Sequence, residues 1–240
     1  MPMTCSSGES ANNLNILDLP GSIEQLLDEG LRESGLPGAA TAKFDLEGHP
    51  DLLVRLNEGY DLLEMKLSLH AANQAVRYGV NVLPSQVVSR QGKPYVITQR
   101  VQGGPLLDAL AAGPGDELLA ATDAHWCNLG RYVVGQMKKR KSVAWDIYGA
   151  EQCMFGTTAT DAVPRLWMVD LPIFSDSFEF EPDSYNSRLR DWIEALADIE
   201  TVTGRPLDSA RSVIEDAFTL SLEETSFGPL AIAQMRTILK

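Results

Sequence analysis

The sequence is poor in cysteine and histidine. Cys5, Cys127 and Cys153 are widely spaced with no CxxC pair, and His49, His70 and His125 do not cluster with them. That composition supports neither a disulfide framework nor a zinc site. The chain has no run of about eighteen apolar residues and no charged-then-apolar stretch at its amino end. No membrane association is expected, and the expected compartment is the cytoplasm. Basic residues are also scarce, 20 against 33 acidic ones, for a formal charge of −13. Nonspecific binding of nucleic acid or of an anionic membrane would need a strong local basic patch. The only compact basic run, Lys138 to Lys141, reads as the positively charged end of a helix, which complements the macrodipole. No internal repeat is present.

What the chain does have is an ordinary globular composition, 44% hydrophobic and 22% charged over 240 residues, enough for a large core or two lobes sharing an interface. Residues 1–14 are small, polar and aperiodic and read as a disordered leader. Pro20, Gly21 and Ser22 then offer a helix start, with Ile23, Leu26, Leu27 and Leu31 on one face. From Gly35 the texture becomes extended. A glycine-containing loop precedes a hairpin that turns at Glu47-Gly48-His49-Pro50 and continues through Leu52 to Leu56.

Residues 58–78 carry Leu62, Met65, Leu69, Ala72 and Val76 at intervals of three and four, which predicts a long amphipathic helix. Two strands around a Gly-Lys-Pro turn follow, closing at Gly103-Gly104. Beyond them the pattern is mostly helical. Helices are expected over 106–112, over 117–137 after a Gly-Pro-Gly break, over 183–204, over 207–222 and over 228–239. Trp192 and Phe218 read as core residues. The expected layout is α+β, with a leader at 1–14, a small unit at 15–102 and a helical unit at 103–240.

Two aspartates interrupt this pattern at the ends of strand-like runs. Asp146 sits in SVAWDIYGAEQCMFG and Asp170 ends the apolar run of RLWMVDLP. Two carboxylates held close together repel unless a cation lies between them, and hard cations take oxygen ligands. The plainer alternative is that Asp146 caps a turn and Asp170 ends a strand.

The order of elements from Gly35 to Phe174, with these aspartates, resembles the protein-kinase-like fold, whose members include protein kinases and aminoglycoside or choline phosphotransferases. The resemblance implies a two-lobed molecule, with a small antiparallel-sheet N-lobe and a mostly helical C-lobe. It also implies ATP and Mg2+ as cofactors and a small-molecule or protein hydroxyl as acceptor. By that resemblance Asp146 orients the acceptor, Asp170 holds magnesium, and Gln152 stands near the usual asparagine ligand if one residue is inserted. Arg55, in DLLVR, falls where the family carries a phosphate-contacting lysine, with Glu64, or else Glu58, as its ion-pair partner. Gly35 and Gly38 fall in the nucleotide-covering loop, and Gln99 to Val101 in the segment that receives an adenine ring.

The chain departs from the pattern at several points. No histidine precedes Asp146 at the family's usual place, Leu171-Pro172 replaces Phe-Gly, and arginine is not equivalent to lysine. Other readings stay open beside the resemblance. Gly35 and Gly38 also fit a plain turn, Arg55 and Glu64 a surface pair, and residues 99–101 an edge strand. For the whole chain the alternatives are a degenerate, pseudokinase-like binding protein and an unrelated α+β domain with incidental aspartates.

Overall fold

The computed structural model describes residues 27–28, 30–33, 42–57, 59–139, 149–169 and 182–224. The expected leader, the Gly35 and Gly38 loop, Glu58, Asp146, Asp170 and the helix over 228–239 lie outside the described residues. The chain is of the mixed α and β class, with two antiparallel sheets and helices around them.

The first sheet has five strands in the order β1-β2-β3-β5-β4: β1 Leu31–Glu33, β2 Ala42–Leu46, β3 His49–Leu56, β4 Ser85–Arg90 and β5 Lys93–Gln99. Leu31 is a correction to the helical reading, because it pairs with Leu46 on the edge of the sheet. Leu27 is buried against the same sheet, beside Leu46, Leu52, Val54, Leu56 and Ile97. The turn before β3 is tighter than expected, with Gly48 at φ 77° and His49 already in the strand. A second correction concerns the β4–β5 hairpin. It turns at Gln91-Gly92, with φ 52° and 75°, and Lys93 and Pro94 belong to β5. Two consecutive positive φ values give the backbone twist that suits a two-residue hairpin; Gly92 reaches its value without steric cost, whereas Gln91 is a non-glycine residue in the left-handed region.

Helix α1, Leu62–Val76, crosses this sheet and packs on β4 and β5 through Met65, Ala72 and Ala75. Its start is well defined. Asp61 Oδ1 accepts from the Glu64 N–H at 2.8 Å, and Glu64 Oε2 accepts from the Asp61 N–H at 2.6 Å. This reciprocal box satisfies two backbone donors that a helix start otherwise leaves unpaired.

The second sheet has three strands, β6 Gln102–Pro105, β7 Cys153–Thr157 and β8 Arg165–Met168, in that order. Gly103 and Gly104 therefore do not close the hairpin as expected; they form a strand with β7, Gly103 opposite Gly156. The expected boundary at residue 102 falls within β6. A methyl group on Gly103 would collide with the Phe155 carbonyl, so the close approach of these strands requires glycine.

The remaining helices are α2 Leu106–Ala111, α3 Asp116–Lys138, α4 Pro182–Thr203 and α5 Asp208–Glu224. Lys138 ends α3, which matches the helix-terminus reading of the basic run. Among the described residues, one buried cluster joins α1, both sheets and all four of these helices, through Ala72, Val96, Leu106, Trp126, Leu166, Trp192 and Ile214. Each fully buried large apolar side chain of this kind contributes roughly 1.5–3 kcal/mol to folding.

Candidate functional site

Arg55 lies in β3 opposite Val96 of β5, and burial leaves its residue only 7% exposed. A guanidinium held away from water needs hydrogen-bond acceptors. Arg55 Nη2 donates to the carbonyl of Val169 at 2.9 Å, a residue 114 positions away that directly follows β8. The N–H of Val169 donates in turn to the carbonyl of Gln152 at 2.9 Å. Gln152 ends a short 3-10 turn, Ala150–Gln152, that leads into β7. One backbone unit of Val169 thus ties β3 of the first sheet to the entrance of β7 and the exit of β8.

The segment before β4 closes the same region. Val82 forms a parallel bridge with Met168, the Met168 N–H donates to Asn81 at 2.8 Å, and the Leu83 N–H donates to Met168 at 3.3 Å. Beside it Leu83, Val101 and Trp167 form a separate small apolar cluster, with Met154 and Val169 packed against it. Trp167 is fixed there, because its Nε1 donates to the Gly156 carbonyl at 3.0 Å. Gln99 is buried at the rim, where its Oε1 accepts from Thr160 Oγ1 at 3.0 Å. The arrangement is a small buried apolar cluster, with the buried guanidinium of Arg55 reaching Val169 at its edge.

Of the residues singled out from the sequence, Arg55, Gln152 and Val101 are brought together around Val169, and Gln99 lies next to them in β5. Glu64 takes a different partner from the expected Arg55: its Oε2 accepts from the Asp61 N–H at 2.6 Å, which closes the capping box of α1. Asp146 and Asp170 lie outside the described residues, as do Gly35 and Gly38. Among the described residues no group of three or more His, Cys, Asp or Glu side chains could hold a metal ion. Of the two expected magnesium ligands, Gln152 and Asp170, only Gln152 is described, and its amide oxygen is the kind of hard donor that magnesium accepts.

Sequence reasoning missed Leu83, Met154, Trp167 and Val169, which gather only through the pairing of β8 with β7 and with the segment 81–83. It also missed a contact in the core. His125 Nε2 lies 3.5 Å from Cys153 Sγ, and the His125 ring packs on Trp126 with centroids 4.8 Å apart. Burial lowers the His125 pKa from 6.5 to about 4, so the imidazole is neutral at physiological pH. Burial also pushes the Cys153 thiol up, and the negative charge of Glu151 adds to this. The pair is therefore a neutral thiol against a neutral ring, not an ionised nucleophile.

On the other side of the 3-10 turn is a cavity of about 380 Å3, lined by Gly149, Ala150, Glu151, Asp191, Glu194, Ala195 and Asp198. Its four carboxylates give it a negative field. No protein-family model matches the chain, and no curated protein matches its sequence.

Proposed function

We propose that this chain is a two-lobed, kinase-like phosphotransferase that uses ATP and Mg2+ on a hydroxyl acceptor. The observation that carries the proposal is the reach of Arg55 from β3 to the carbonyl of Val169, immediately before Asp170 and beside an apolar cluster that includes Val101. A nucleotide needs a flat apolar surface for its base and cationic charge for its phosphates. The Leu83, Val101, Met154 and Trp167 side chains would serve the first need and Arg55 the second. Gln152 and Asp170 would hold the metal, which neutralises phosphate charge when bound. In the reaction the bond from the γ-phosphorus to the ADP oxygen breaks, a bond to the acceptor oxygen forms, and the acceptor proton passes to Asp146.

A second reading, a degenerate nucleotide-binding or scaffold protein with a kinase-like shape, draws on a different observation. Glu64 is engaged at the start of α1 and Arg55 spends one donor on a backbone carbonyl, so neither is devoted to phosphate.

Thermal unfolding with ATP, with and without magnesium, tests both. A ligand bound only to the folded state at about a hundred times its Kd stabilises by about 2.7 kcal/mol, a rise of roughly 5 °C for a chain of this size. The phosphotransferase reading expects that rise to need magnesium, to vanish in Asp170→Ala, and phosphate transfer to vanish in Asp146→Ala. A rise without transfer leaves the second reading. An unchanged melting temperature with ATP and magnesium defeats nucleotide binding altogether.

A further inference from the structure

We infer that Arg55 is a positioning residue for the base end of the site, acting through the backbone of Val169 rather than only through charge on the phosphates. The inference rests on the nucleotide-binding reading above. Both polar groups of the Val169 backbone unit are held from outside its own strand. Its N–H goes to Gln152 at 2.9 Å and its carbonyl receives Arg55 Nη2 at 2.9 Å. Its side chain packs against Leu83, Val101 and Trp167. The guanidinium therefore sets the height of one wall of the apolar cluster relative to the first sheet.

The residue type fits this task. A planar guanidinium can hold a carbonyl with one nitrogen while its rigid fork fixes the direction of its other donors, whereas a lysine ammonium is a compact charge whose three donors rotate freely on a flexible stem. The neighbouring Met168 is already fixed by Asn81 and Leu83, so Val169 is the position at which the first sheet itself takes hold. An arginine acting only on phosphates would leave adenosine, which has none, indifferent to its loss. A positioning arginine would make adenosine and ATP lose affinity together.

The experiment compares the 240-residue chain with its Arg55→Lys variant, and with Arg55→Met should the lysine variant fail to fold. Two readouts are taken: titration calorimetry with adenosine and with ATP in magnesium, and hydrogen exchange of peptides covering Met168 and Val169 without any ligand. The expected result is a loss of about tenfold in affinity for both ligands. Exchange of those peptides should also become about tenfold faster, with β4 and β5 peptides unchanged. Unchanged exchange overturns the inference, as does a loss confined to ATP. If the unsubstituted chain binds neither adenosine nor ATP, the nucleotide reading has failed. Exchange then decides the tether by itself, faster supporting it and unchanged overturning it.

Discussion

His125 carries a titratable ring wholly inside the protein, and its low pKa has a direct consequence for stability. The unfolded chain binds a proton at this ring near pH 6.5, while the folded chain resists until about pH 4. Between these values the unfolded state holds more protons, so acid favours unfolding. The fall from 6.5 to about 4 corresponds to about 3 kcal/mol. Urea titrations should show stability full above pH 6.5, declining to about pH 4 and level below it with respect to this group. Glu200 does not confuse the window. Burial alone would raise its pKa, but hydrogen bonds from Arg211 and the Leu207 N–H, with the Arg211 charge, lower it overall from 4.5. Its stabilisation is therefore lost only at pH below 4.5. His125→Gln should flatten the slope between pH 4.5 and 6.5, and an undiminished slope in that variant would show that another group titrates there. The His125 and Cys153 contact was invisible in the sequence because 28 positions separate the two residues and only the seating of α3 on β7 brings them together. Arg55 was legible as a cation on a strand, but its acceptor was not, since a backbone carbonyl leaves no trace in residue type.

Helix α3 shows what a single missing side chain does for an element. Gly130 faces α4 and α5, and a methyl group there would collide with Trp192 Cη2 and lie 2.7 Å from Val213 Cγ1. Alanine would gain roughly 1 kcal/mol of helix propensity. It would also force a fully buried tryptophan out of place, an overpacking that costs about 1–3 kcal/mol and more where backbone must move. Gly130→Ala should therefore lower the urea midpoint, and a raised midpoint would mean that α3 and α4 separate without penalty. Elements with strong local signals were legible. The three- and four-residue spacing found α1, the Gly-Pro-Gly break found the start of α3, and alternating apolar runs found β3, β4 and β5. Strand β1 was not, because three residues carry too little pattern and Leu31 also fitted the preceding helical face. Strand β6 was hidden by Gly103 and Gly104, whose turn-like composition is here a requirement of close strand approach.

At the scale of the whole molecule, one buried cluster links α1 and the first sheet to β7, β8 and the helices α2 to α5 among the described residues. The mixed α and β class was legible from the succession of extended and helical patterns. The joining of the two sheets through Val82, Met168 and Val169 was not, since it depends on pairing between segments more than eighty residues apart. Continuity of this kind predicts one cooperative transition rather than separate melting of the two sheets. Cys127 in α3 and Cys153 in β7 are both buried and joined in no disulfide, and they sit on different elements of that cluster. In a Cys5→Ser background they become internal clocks: an aromatic disulfide reagent added to the native protein should modify both at a single shared rate, that of global opening, and two distinct rates would reveal that one part of the interior breathes without the other.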